Sequence, residues 1–329
     1  MTQPPASHHS PARLCALWAS LWLLLCTGLQ AGPAQARPMD LLTHDGRVDF
    51  AQLYEFARKS ADAYAPAGAI RDRHPGVSWV ATPGHTNVLY FIETDHARRT
   101  HTLVVRGTVD EVNWKLDTDT HGAFDEKAGV LLHRGFHTVA RVIYADARQR
   151  LIPTYRTWFT GHSLGGAVAA ILATYLDRDG YAIGGVYTFG QPKFTNPEGV
   201  RRYAYLPVLR VVYQNDAVAM LPDAVKGAKA RFAHLGPEIV LLQGPNYCYL
   251  DQESAARKSI GAFSQGITFT SLPDHKMKWY LQGLRDKLDG ANMVPYDKRQ
   301  RYVQRHKLGT GVDTGRVQRQ TNFNRRATY

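Results

Sequence analysis

Phe50, Leu53, Tyr54, Ala57, Ala61 and Tyr64 recur at three- and four-residue intervals, a single apolar stripe that predicts a helix. Asp49 just ahead of the stripe and Gln52 three residues on are placed as a capping box. Runs rich in β-branched and aromatic residues at 77–82, 88–94 and 102–106 read as strands, the first two parted by a Pro83-Gly84 turn signal. After a short apolar run at 130–132, a second stripe of Phe136, Val139, Ala140, Ile143 and Ala147 predicts another helix. Strands and helices then alternate: strand 156–160, Ala-rich helix 165–176, strands 185–189 and 209–213, and a late helix bearing Met277, Trp279, Tyr280 and Leu284. Short strands apolar on both sides and separated by helices predict an α/β class with a mostly parallel central sheet and helices on both faces. In such sheets reactive groups collect beyond the carboxyl ends of the strands.

Composition narrows the class. At 329 residues, 44% hydrophobic and 21% charged, the chain reads as folded and globular, which excludes a wholly disordered or fibrous protein. Residues 1–36 have the pattern of an export signal: Arg13 is the only charge, 14–25 is an apolar run too short for a comfortable membrane span, and Ala34-Gln35-Ala36 suits cleavage. The expected location is therefore exported, either secreted or periplasmic. Removing that leader takes Cys15 and Cys26 and leaves Cys248, so no internal disulfide or cysteine zinc cage is expected. The simplest organisation is a signal at 1–36, one domain over 37–285 and a basic tail over 286–329. From Arg285 to the end, eleven Lys/Arg face four Asp/Glu within a chain of net charge +12. With no apolar stripe, this stretch is expected to be a solvated extension, with peripheral contact to an anionic membrane surface as its functional reading and no nucleic acid partner.

After the strand ending at Thr160 stands Gly161-His162-Ser163-Leu164-Gly165, followed by Gly166-Ala167-Val168. A serine on a sharp strand-to-helix turn needs glycines on both sides, because side chains there would strike the neighbouring strand or helix. A similar run, Ala262-Phe263-Ser264-Gln265-Gly266, lacks the first glycine and precedes a strand-prone stretch at 267–270, so Ser264 reads as structural. A serine hydroxyl needs an imidazole to take its proton and a carboxylate to hold that imidazole in one tautomer. Asp216, just past strand 209–213, is the favoured acid, and Asp223 after Leu221-Pro222 is the other. His234 and His275 both follow the acid, whereas His162 adjoins the nucleophile and suits packing and local hydrogen bonding. The backbone N–H of Leu164, next to the nucleophile, is one donor for an oxyanion.

Five segments together resemble the class 3 lipases, the fungal triacylglycerol-lipase-like branch of the α/β-hydrolases. They are Val104-Val105-Arg106-Gly107-Thr108 with Asn113-Trp114, the serine pentapeptide, Tyr187-Thr188-Phe189-Gly190-Gln191-Pro192-Lys193, Asn215-Asp216-Ala217-Val218 with Leu221-Pro222, and Asp274-His275 with Tyr280. The resemblance spans about 102–280 and runs in the family's order. It implies an α/β-hydrolase fold, a chain order of Ser163, Asp216 and His275 for the catalytic set, Thr108 as second oxyanion donor, a structural His133, and a lid over 109–119. It further implies a secreted serine ester hydrolase acting on lipid or lipid-like esters, with no metal or organic cofactor. The alternatives are a phospholipase, a non-interfacial carboxylesterase, or an inactive hydrolase fold that binds anionic surfaces.

Overall fold

The computed structural model describes residues 1, 48–108, 121–222, 232–264 and 273–304, with the backbone alone for 259–264. The leader from residue 2 to 36, the expected lid at 109–119, Asp223, the strand-prone 267–270 and the chain beyond 304 lie outside the described residues.

Helix α1 (Phe50–Asp62) starts where the pattern places it, with Asp49 Oδ1 accepting the Gln52 N–H at 2.8 Å. It stops two residues short of Tyr64, because Pro66 disfavours helical backbone at the residue before it. Pro66 instead opens α2 (Ala67–Arg73). Strands β1 (Val77–Ala81), β2 (Tyr90–Asp95), β3 (Thr100–Val105), β4 (Gly122–Asp125) and β5 (Val130–His133) lead into α3 (Arg134–Ala147). The alternating region holds β6 (Arg156–His162), α4 (Leu164–Arg178), β7 (Ile183–Phe189), α5 (Pro197–Arg202) and β8 (Val208–Tyr213). It is followed by β9 (Glu238–Leu241), β10 (Asn246–Leu250), α6 (Gln252–Ser264), α7 (Met277–Arg285), β11 (Asn292–Met293) and a 3-10 segment, Tyr296–Tyr302.

Among the described residues one sheet has the order β1-β2-β3-β6-β7-β8-β9-β10-β11, and β4 and β5 form a separate pair. The five central strands from β3 to β9 are mutually parallel, while β1, β2 and β10 join antiparallel. Alternation along the strands feeds two cores. Val105, Val186 and Val208 face the layer of α3 and α4, and Tyr187, Phe189, Leu209, Val211 and Tyr213 face α1 and α7. Every residue of β7 and β8 is buried, as strands covered on both faces require.

The boundary expected at 285 falls inside the packed structure. Asn292 and Val294 donate their N–H groups to Pro245 O and Tyr247 O at 2.9 and 2.8 Å, and Gln243 N–H reaches Tyr302 O at 2.9 Å. Val294 completes an apolar cluster with Val240, Leu242 and Cys248. Two of the cations that made this stretch look solvated are buried: Arg299 lies 4.0 Å over the Tyr296 ring, and Lys287 Nζ donates to Leu242 O, Gly244 O and Gly283 O at 3.0, 2.8 and 2.8 Å. Burial pulls the Lys287 ammonium down to about 8, but three carbonyls match its three donors and tie the end of α7 to the turn between β9 and β10.

Lys287→Met would leave those carbonyls without their donor. It is expected to cost on the order of 3 kcal/mol, lowering the thermal midpoint by roughly 6–12 °C. Calorimetry checks this, and an unchanged midpoint would mean that the segment after 285 does not anchor the sheet.

Candidate active site

Ser163 sits between the end of β6 and the start of α4 with φ 59° and ψ −132°, a left-handed conformation that a side-chain-bearing residue holds only where its surroundings enforce it. The enforcement comes from backbone contact. A Cβ on Gly161 would lie 2.5 Å from the Gly165 carbonyl carbon and 2.8 Å from Val105 O; one on Gly165 would collide with Val105 O and lie 2.8 Å from the Arg106 carbonyl carbon. Ser163 N–H donates to Phe189 O at 2.9 Å, and Gly166 N–H donates to Ser163 O at 2.9 Å. Ser264, by contrast, is the last residue of α6, not a strand-to-helix turn.

The structure brings Ser163, His275 and Asp216 together in one buried chain. His275 Nε2 is 2.8 Å from Ser163 Oγ, and His275 Nδ1 is 2.7 Å from Asp216 Oδ2. A carboxylate accepts only, so Nδ1 carries the proton and Nε2 is free to accept from the hydroxyl. Asp216 Oδ2 also accepts from Tyr280 OH at 2.5 Å, and its Oδ1 from Val218 N–H at 2.9 Å. Burial and the Asp216 charge raise the Tyr280 hydroxyl well above its ordinary value, so it remains a donor. Gly190, at φ 57°, makes room for the cluster: a Cβ there would lie 2.8 Å from both Asp216 Oδ2 and Tyr280 OH and 2.9 Å from His275 Cε1.

His162 points away from the serine, as expected. Its Nε2 donates to His275 O at 2.8 Å, which leaves Nδ1 to accept from Tyr64 OH at 2.8 Å. The loop carrying Thr108 is pressed against the same turn, since a Cβ on Gly107 would meet Tyr64 OH and lie 2.7 Å from His162 O and 3.2 Å from Ser163 Cβ. Leu164 opens α4, where the first N–H groups have no acceptor within the helix. The competing His234 is fully buried, with Nε2 donating to Ala219 O at 2.6 Å and burial holding its pKa well below the usual histidine range. His133 stacks on Phe136 with ring centroids 4.1 Å apart. Among the described residues no group of three His, Cys, Asp or Glu side chains could hold a metal ion.

With this geometry in view, residues 102–226 match the family model described as lipase (class 3). That stretch of the chain is similar to the class 3 lipases. The chain is 34% identical over 179 residues to the secreted mono- and diacylglycerol lipase 1 of Fusarium solani, covering 49% of each chain. It is 30% identical over 162 residues to the secreted mono- and diacylglycerol lipase A of Penicillium cyclopium, covering 46% of this chain and 52% of that one. The chain thus spans about half the length of these relatives. The Rhizomucor miehei lipase in its propeptide complex superposes with a TM-score of 0.57 at 24% identity, covering 70% of this chain and 81% of that one, so the two share the α/β-hydrolase fold.

Three polar residues of this site were given no role in it by the sequence, although Asp274 and Tyr280 stand in the segments that carry the resemblance. Tyr64 and Tyr280 looked like stripe residues, and only a hydroxyl on an otherwise apolar helix face hinted at more. Asp274, buried beside His275, accepts from the backbone N–H of Asn215, while burial and the Asp216 charge push its carboxyl up to about 7. Raised above the unfolded value of 3.8, it keeps a proton that the unfolded chain releases. Its contribution to stability therefore falls as pH rises from about 4 to about 7. Asp274→Asn is expected to raise the thermal midpoint relative to wild type at pH 8, with the gain shrinking towards pH 4. A difference that stays constant over that range would put the Asp274 carboxyl back in the ordinary range.

Proposed function

We propose that the chain is an exported serine ester hydrolase that cleaves carboxylic esters of lipids through an acyl-enzyme on Ser163. The observation that carries this reading is the buried chain from Ser163 Oγ through His275 to Asp216, with the histidine tautomer set by the carboxylate. Ser163 Oγ attacks the ester carbonyl while His275 Nε2 takes the hydroxyl proton; the imidazolium is balanced by Asp216. The tetrahedral oxygen is stabilised by the Leu164 N–H and by Thr108, a role supported by the close approach of its neighbour Gly107 to Ser163. Collapse expels the alcohol, which receives the proton from His275. Water then attacks the acyl-enzyme, giving its proton to the same nitrogen, and the acid leaves as Ser163 recovers its hydrogen. The names of the fungal relatives support acylglycerols as the ester class and support export, in keeping with the leader pattern at 1–36.

Residues 305–329 carry six Lys/Arg against one Asp, which supports electrostatic contact with an anionic lipid surface. Replacing these six cations with Gln is expected to leave hydrolysis of a small soluble ester unchanged. It should weaken binding to phosphatidylglycerol vesicles at low salt, with the two proteins converging at high salt. Equal vesicle binding at low salt would remove the membrane role.

Ser163→Ala is expected to lower turnover on the order of 10⁵- to 10⁶-fold, and His275→Ala to abolish proton transfer, whereas His234→Ala should retain activity. The measurement is hydrolysis of a panel running from short soluble esters to emulsified triglyceride and phospholipid vesicles, with mass mapping of a serine-directed phosphonate adduct. Labelling away from Ser163 would overturn the mechanism. A wild-type chain inert on the whole panel would favour the inactive surface-binding fold, and preference for phospholipid or for short soluble esters would replace the acylglycerol assignment.

A further inference from the structure

The turn that delivers Asp216 is gripped by chain from outside the family-matched stretch. Gln214 is buried with φ 45°, a backbone region that glycine or asparagine would occupy at less cost. Its side chain makes two bonds: Nε2 donates to Tyr213 OH at 2.8 Å, and Oε1 accepts the backbone N–H of Gln304 at 2.8 Å. Gln300 Nε2 approaches Asn215 Oδ1 at 3.4 Å. The backbone N–H of Gln214 is held by Leu241 O at 2.9 Å, and that of Asp216 by Tyr213 O at 2.9 Å. The segment supplying Gln300 and Gln304 is itself moored to the β9–β10 hairpin through Asn292, Val294 and Tyr302.

We propose that residues 292–304 act as a clamp on the acid turn, with Gln214 as the positioning residue through which the clamp holds Asp216 Oδ2 against His275 Nδ1. The inference rests on reading Ser163, His275 and Asp216 as the reacting centre. A positive-φ residue that keeps a long polar side chain, buried and bonded at both ends, is what a turn held in place from outside requires. Loss of one such bond lets the turn relax towards ordinary backbone angles, and the acid then meets the imidazole less often in line. The clamp reaches the acid turn through Gln214 and Asn215, and a misaligned acid acts on proton transfer, so the loss should fall on kcat and spare KM.

The test removes one hydrogen. Gln304→Pro deletes the backbone N–H, and Gln304→Ala removes the same side chain but keeps that N–H. Val303, at φ −89° and ψ 126°, already has the backbone that precedes a proline. With a small soluble ester, kcat of Gln304→Pro is expected about five- to tenfold below that of Gln304→Ala, with KM equal within twofold. Gln214→Met, which removes this bond and the one to Tyr213 OH, should lose at least as much, and the double variant Gln214→Met/Gln304→Pro should lose no more than Gln214→Met alone, because the bond to Gln304 is already gone there. The downfield proton resonance of His275 Nδ1–H should broaden or shift in Gln304→Pro and persist in Gln304→Ala. Equal kcat in the two Gln304 variants, or losses that multiply in the double variant, would overturn the clamp. If the wild-type chain hydrolyses no ester, the proposed function fails while the resonance still reads the clamp: movement in Gln304→Pro supports it and an unmoved signal overturns it.

Discussion

The close backbone crossing of β3, β6 and the first turn of α4 is the constraint on which the rest of the site depends. Parallel register sets Val105 beside Gly161 and Gly161 beside Thr188, so three neighbouring strands end at one level. The Thr108 loop, Ser163 and Gly190 therefore leave the sheet at the same edge. No side chain fits between Gly161, Gly165 and Val105 O, and the small residues that follow let α4 settle directly on the strands. Ser163 pays for this proximity with a left-handed backbone, offset by its N–H bond to Phe189 O and by the helix that starts at the next residue. The pentapeptide is thus a statement about backbone distance first and about chemistry second.

Behind the serine, the electrostatic arrangement sorts two buried carboxyls into different roles. Asp216 receives three donors, from His275 Nδ1, Tyr280 OH and Val218 N–H. Asp274, deprived of water and facing Asp216, is pushed towards its neutral form near pH 7. Two negative charges in one dry region would repel, and that repulsion adds to burial in raising the Asp274 carboxyl. His275 is held at a second point, through its own carbonyl and His162 Nε2. The imidazole is therefore fixed by backbone and ring together.

How much of this was legible follows from what kind of contact each part uses. The α1 stripe, the elbow glycines and the strand-ending acid are local patterns with a fixed spacing, and they stand in the sequence where the structure has them. Strand β9 opens on the charged Glu238 right after Pro237, which shortens its apolar run to 239–242, and the compensating Arg210 lies on β8, 2.9 Å away across the sheet. Each charge argues against burial until the other is placed beside it. The stretch after 285 misled for the same reason: Lys287 is satisfied by three carbonyls and Arg299 by an aromatic face, partners that no charge count can reveal. Tyr64 and Tyr280 counted as apolar, and their hydroxyls acquire meaning only when a histidine and a carboxylate arrive from distant positions.

The three members of the reacting chain are consequently held by three different devices. Ser163 is fixed by a backbone crossing within the matched stretch, and His275 by its neighbour across the elbow. The Asp216 turn has no glycine crossing of its own. Strand β8 carries it to the sheet edge beside β9, where Tyr213 pairs with Leu241 and the hairpin to β10 begins. New chain arrives beside that turn, where β11 and the 3-10 segment fold back to reach Gln214 and Asn215. On the opposite side Asp274 takes the Asn215 N–H, so the loop carrying the base braces the loop carrying the acid. Chain beyond the matched stretch thus becomes part of the site, because the sheet topology leaves the acid turn open to support from residues 292–304.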